Sequence, residues 1–67
     1  MSALQIKTQL EDLQAERALA DIAGLGDNGT YMLDLEGDIA ATRTALVATA
    51  VTEIATLRAE LFGPQVG

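Results

Sequence analysis

An apolar seam in the second half of the chain limits what these 67 residues can fold into. Apolar side chains there recur at alternating intervals of three and four residues, the spacing of a coiled-coil interface. The seam consists of Val47, Ala50, Ile54, Leu57 and Leu61. With Ile39, Leu46, Val51 and Phe62 added, the apolar arc spans roughly 160° of a helical wheel. One partner helix cannot cover so wide an arc, so we expect the core to be completed by other protein chains.

The chain lacks two means by which small domains are commonly stabilised. A domain of this length buries only about 60% of the surface of its unfolded chain. Disulfides or bound metals often compensate, but the sequence contains no Cys and no His. Stability must therefore come from helix packing or from association. We expect no cofactor and no metal.

The charge balance narrows the class of partner. The chain contains ten acidic and four basic residues, which gives a formal net charge of −6. Without a basic patch, direct binding to nucleic acid or to an anionic membrane is disfavoured. The balance favours solubility and basic protein partners. The N-terminal residues do not resemble a signal peptide, and the least charged stretch, residues 44–52, is too short to span a membrane. We therefore expect a cytoplasmic location.

The pattern predicts an all-α fold, an antiparallel two-helix hairpin in a single domain. Helix one is predicted at residues 2–23, the connection at 24–30, helix two at 31–62 and an extended tail at 63–67. Ser2 and Gln5 have the spacing of a capping box, and Gly24 or Gly26 can end helix one in the left-handed conformation. A Gly-Pro pair at positions 63 and 64 ends helix two.

The start of helix two is open to three interpretations. Thr30 can cap it, or the helix can restart at Asp38 after Gly37, because glycine inside a helix costs about 1 kcal/mol. The Asn-Gly pair at 28–29 can instead nucleate a short β-hairpin over residues 27–35.

The apolar stripe of helix one changes face along its length. Ala3, Ile6, Leu10 and Leu13 line one side. A second group, displaced by more than a quarter turn, comprises Ala15, Ala18, Leu19 and Ile22. No kink-forming residue lies between them, so we expect this helix to contact two different neighbours.

The candidate interface residues come from both helices. They are Arg43, Val47, Val51, Ile54, Leu57, Leu61, Phe62, Ile6, Leu10 and Leu13. Arg43 lies within the apolar arc, where a guanidinium needs a carboxylate or must extend to the edge of the surface. It is either a specificity contact to an acid on helix one or another subunit, or an edge residue with a solvated head. Arg17 is expected to be a solvated charge, and Tyr31 to anchor the connection against the helices.

The remaining polar groups do not indicate chemistry. Asp34, Glu36 and Asp38 form the densest acidic group, but the run at residues 27–29 does not follow the order of an EF-hand loop. Acids favoured by the N-terminus of helix two explain this group. There is no His or Cys, no Ser lies beside a base, and the GLGDNG run lacks the Lys of a phosphate loop. We expect no enzymatic activity.

The stretch EIATLRAEL at residues 53–61, followed by Gly63-Pro64, resembles the second helix and exit of small head-completion and head–tail joining proteins of tailed bacteriophages. The resemblance covers about the last 20 residues. Those proteins usually carry a β-hairpin between the helices and a basic C-terminal tail, whereas the tail here is neutral. The resemblance implies a structural component of the virion that bridges copies of larger proteins, and no site residues are carried over.

Two functions follow as predictions. The first is a non-enzymatic structural or assembly protein that packs amphipathic helices against other subunits, as a minor component of a phage-like virion. Its partners would be copies of itself, a larger structural protein, or both. The alternative is a small acidic regulator or inhibitor that binds a basic protein surface. A rise in ionic strength separates the two, because it weakens charge-driven binding and leaves apolar packing intact.

Overall fold

The computed structural model describes residues 1–63 and contains two helices joined by a short turn. Helix α1 spans Ala3–Ile22, a 3₁₀ turn spans Leu25–Asp27, and helix α2 spans Gly29–Phe62. No strand occurs within residues 1–63. The predicted all-helical hairpin is therefore confirmed, and the alternative of a short β-hairpin over residues 27–35 is excluded, because these residues form the 3₁₀ turn and the start of α2. The predicted tail falls outside the described residues, apart from Gly63.

Local side-chain chemistry sets both ends of α1. The Ser2 hydroxyl accepts a hydrogen bond from the Gln5 amide at 3.2 Å, and the Gln5 side chain accepts one from the Ser2 amide at 2.8 Å. This is the predicted capping box, which satisfies two amides that have no partner inside the helix. Beyond Ile22, Gly24 adopts a left-handed conformation with φ of 81°. Gly24, and not Gly26, therefore reverses the chain.

Helix α2 begins earlier than predicted. The Asn28 side chain accepts a hydrogen bond from the Tyr31 amide at 3.1 Å, so Asn28 is the N-cap and Gly29 the first helical residue. The predicted starts at Thr30 and Asp38 are both wrong. Gly37 lies inside one uninterrupted helix of 34 residues.

This earlier start also changes the interpretation of the acidic group. Asp34, Glu36 and Asp38 lie inside α2, and its first turn contains no acid. The effect of a helix dipole falls off within the first turn. The dipole at the N-terminus therefore does not explain these three residues.

A small core joins the two helices near the middle of α1. Leu10, Leu35 and Ile39 form the buried cluster. Four partly buried side chains pack around it, namely Leu13, Tyr31, Met32 and Leu46. Ile6 and Ala20 are buried as well. Ile6 and Leu10 are thus buried within their own chain, so we remove both from the set of residues free to contact another subunit.

Two polar contacts between distant residues fix the register of the hairpin in the half nearer the turn. Near the turn, the Tyr31 hydroxyl donates to Glu16 at 2.6 Å. Farther from the turn on α2, a carboxylate oxygen of Glu36 lies 2.9 Å from the Nε of Arg17. This pair replaces the predicted solvated Arg17 with a contact between helices, although a half-exposed pair adds at most about 1 kcal/mol.

Alanine substitutions at two glycines should change the stability of the hairpin in opposite directions. A Cβ at Gly37 would meet nothing within 4 Å, so Gly37→Ala should stabilise the hairpin by about 1 kcal/mol through helix propensity. Gly24→Ala should destabilise it by about 1–2 kcal/mol, because alanine is strained at positive φ. Urea unfolding followed by circular dichroism measures both. A stabilising Gly24→Ala would contradict the left-handed turn.

Candidate interaction surface

Helix α2 extends well past the start of α1. The Ala3 amide at the beginning of α1 donates a hydrogen bond to the Glu53 carboxylate at 2.9 Å, which places the two residues level with each other. Residues 54–62 therefore continue beyond α1 for about 13 Å, at 1.5 Å per residue. We refer to residues 54–62 as the overhang. It gives the molecule an elongated shape, 63 Å long and 16 Å by 13 Å across.

The apolar seam lies on the overhang and on the last turns before it. Val47, Ile54, Leu57 and Leu61 are 59%, 57%, 53% and 60% exposed, although all four are large and apolar. Val51 and Phe62, which flank the seam, are exposed as well. The prediction that this part of α2 presents more apolar surface than the chain itself covers is confirmed. Contiguous apolar surface of this kind commonly marks a protein interface.

Arg43 lies on the same exposed side of α2. It borders a shallow groove together with Ala40, Thr44, Val47 and Ala48. No ion pair joins Arg43 to an acid among residues 1–63. Its guanidinium is exposed at the edge of the seam nearer the turn, which places a positive charge where the apolar surface ends.

A second apolar surface lies at the opposite end of the molecule. Helix α2 covers the first stripe of α1 and leaves the second stripe exposed, with Leu19 and Ile22 the largest side chains in it. Leu19 also borders a groove with Leu25 and Tyr31, beside the turn. The two exposed apolar surfaces are therefore separated along the long axis.

Sequence reasoning missed the contribution of Glu53. The structure places its carboxylate at the N-terminus of α1. There it accepts the Ala3 amide, and a negative charge at a helix N-terminus is favourable. Counting residues outward from the turn could have found this contact, because an antiparallel hairpin that turns near residue 27 brings residue 3 close to residue 53.

The Tyr31–Glu16 pair makes the turn sensitive to high pH. The hydrogen bond to Glu16, followed by partial desolvation and by the Glu16 charge, raises the pKa of Tyr31 above its ordinary value. The neutral hydroxyl therefore stabilises the hairpin fully below the ordinary tyrosine pKa of about 10. This contribution is lost as the pH rises through the raised pKa.

The titration is directly measurable, because Tyr31 is the only tyrosine and the chain has no Trp. We expect the midpoint of tyrosinate absorbance to lie above that of a model tyrosine peptide. Glu16→Gln should lower the midpoint, since it removes the charge and weakens acceptance of the hydrogen bond. Glu11→Gln is a matched control, because Glu11 pairs with Lys7 and should leave the midpoint unchanged. Equal midpoints for the wild type and Glu16→Gln would contradict the contact.

No protein-family model, curated protein or solved structure matches the chain. Within residues 1–63, neither helix is long and apolar enough to cross a membrane. The same part of the chain contains no group of three or more acids placed to hold a metal ion. The exposed apolar surfaces are thus the features from which a function has to be inferred.

Proposed function

We propose that this chain is a non-enzymatic assembly protein that packs the seam of α2 against other protein subunits. The proposal rests on one observation: four large apolar side chains of α2 are exposed, and α2 is longer than α1 and extends beyond it. These side chains are Val47, Ile54, Leu57 and Leu61. An assembly protein needs surface that its own fold leaves uncovered. In the helical hairpin this surface lies on one long helix. The core that holds the two helices together is formed by other residues.

The separation of the two apolar surfaces supports a bridging role. The seam lies at one end of the 63 Å long molecule, and the surface formed by Leu19 and Ile22 lies near the turn at the other end. One chain could therefore contact two subunits at once. This arrangement agrees with what the resemblance of residues 53–64 to phage head–tail joining proteins implies, and we propose a minor component of a phage-like particle. In that case the protein would be located in the virion.

Sizing the protein in extracts of its natural source tests the proposal. The chain should migrate in an assembly larger than its 7.0 kDa monomer and, if the virion assignment is right, should sediment with particles through a density gradient. Migration as a monomer at its natural concentration would overturn the assembly role. An assembly that never sediments with particles would overturn the virion assignment alone.

The same extracts separate this function from the acidic-inhibitor alternative. Apolar packing of chains that each carry a net charge of −6 should survive, or tighten with, a rise in salt, because salt screens their mutual repulsion. A complex that depends on a basic partner should dissociate under the same change. We expect the assembly to persist at 1 M salt, where the Debye length is about 3 Å. Dissociation would favour the inhibitor.

A further inference from the structure

We infer that the seam pairs with the seam of a second copy of this chain, in a parallel and in-register two-stranded coiled coil over residues 47–61. The inference rests on the proposed assembly function and names the occupant of its surface. It is carried by the identity of the residues at the core positions of the repeat and by the charges beside them.

Three of the five core positions carry the residues that parallel dimers prefer. In heptad notation the a positions are Val47, Ile54 and Leu61, and the d positions are Ala50 and Leu57. β-branched residues at a combined with Leu at d favour two parallel strands. Ala50 is small enough to let the two helices approach closely.

The flanking charges select the parallel direction. Glu53 occupies a g position and Arg58 the e position of the next heptad. In a parallel pair these positions face each other, so Glu53 of each copy lies beside Arg58 of the other, and two ion pairs form per dimer. In an antiparallel pair g faces g, which would place Glu53 beside Glu60 of the other copy. Like charges there oppose that arrangement.

The structure leaves both groups available for this pairing. Arg58 is exposed and makes no ion pair within residues 1–63. Glu53 uses one carboxylate oxygen, Oε1, for the Ala3 amide, so its second oxygen can accept from a guanidinium. Towards the turn, Arg43 occupies the next d position. Two Arg43 side chains would face each other there, so the paired region ends at Val47.

Cysteine cross-linking of the purified chain tests the direction and the register. The chain contains no Cys, so each variant carries one thiol. We expect Ala50→Cys to form an intermolecular disulfide in most chains under mild oxidation. Thr52→Cys, two residues away on the outer face, should form little. In the antiparallel register that places Glu53 beside Glu60, residue 50 lies level with residue 61 of the other copy, so the two thiols would lie about 16 Å apart along the axis. That is beyond the Cα separation of about 4.4–6.8 Å that a disulfide spans.

Charge exchange provides an independent measurement that does not depend on oxidation. By sedimentation equilibrium, Arg58→Glu should weaken the dimer about tenfold, because both ion pairs become repulsive. Glu53→Lys should also weaken it. An equimolar mixture of the two variants should recover an affinity close to that of the wild type, since opposite charges face each other again in the heterodimer.

Each contrary result has a distinct meaning. A tighter dimer for Glu53→Lys, or equal cross-linking of the two cysteine variants, would overturn the parallel pairing. A purified chain that stays monomeric while the chain in natural extracts remains in a larger assembly would overturn self-pairing, and the proposed assembly function would stand. Monomers in both preparations would overturn both.

Discussion

Ile54→Asp should convert the assembled protein to a monomer and leave the hairpin folded. Ile54 lies at the centre of the seam, with two seam positions on either side of it. A carboxylate at that point would have to be buried without a partner against apolar side chains, a severe penalty in any interface. We expect the association constant to fall by about a hundredfold or more, which corresponds to about 2.7 kcal/mol.

The hairpin should tolerate this substitution because Ile54 contributes little to it. Its side chain is more than half exposed, and it lies beyond Glu53, where the contacts with α1 begin. Circular dichroism should therefore show nearly unchanged helix content, while sedimentation velocity shows a single species near 7.0 kDa. Loss of association together with loss of helix would mean that the helix of the overhang forms only in the assembly.

Thr52→Asp is the matched control for this experiment. Thr52 lies two residues away on the same helix, is exposed and is not part of the seam. The substitution therefore adds the same charge as Ile54→Asp without burying it. Association should remain close to that of the wild type. If both variants dissociate, added negative charge on an already acidic chain is the cause. If neither dissociates, the seam is not the interface.

The sequence predicted those features that neighbouring residues determine. The capping box at Ser2 and the reversal near Gly24 each depend on a few adjacent side chains or on one backbone angle. The exposure of the seam followed from counting apolar positions against the surface available to cover them. These inferences required no knowledge of how the two helices are placed.

The features that the sequence did not predict depend on a choice between similar helix-start residues or on contacts between distant residues. Asn and Thr are both good N-cap residues. In the structure the Tyr31 amide donates its hydrogen bond to the Asn28 side chain, so the N-cap is Asn28 and not Thr30. Gly37 costs about 1 kcal/mol inside a helix. Packing of Leu35 and Ile39 on either side of Gly37 accounts for the uninterrupted helix.

The face of α2 that meets α1 could not be chosen from the pattern alone. Leu46 packs towards the core, whereas Val47 is turned from it by about 100° and remains exposed. Both belong to the same wide apolar arc. Beside α1, the direction from which α1 packs decides which part of the arc is covered. Beyond Glu53, which is level with the N-terminus of α1, no part of α1 remains to cover the arc.

Leu35→Ala should cause the largest loss of stability of any single truncation in the hairpin. Leu35 is 2% exposed and is a central member of the buried cluster with Leu10 and Ile39. Truncation of a buried leucine costs about 2–5 kcal/mol, because apolar contacts are lost and a cavity remains. Few other residues are buried within residues 1–63, so we expect most molecules to be unfolded at 37 °C.

The measurement is urea unfolding at one fixed chain concentration, because association adds to the apparent stability. Leu33→Ala removes the same atoms two residues away, but Leu33 is 76% exposed, so its effect should stay within about 0.5 kcal/mol. Ile39→Val gives a graded loss of about 0.5–1.5 kcal/mol if Leu35→Ala does not fold at all. Equal losses for Leu33→Ala and Leu35→Ala would mean that α2 meets α1 through a different face. The seam would then have to be assigned again, because its exposure depends on α1 covering Leu35 and Ile39.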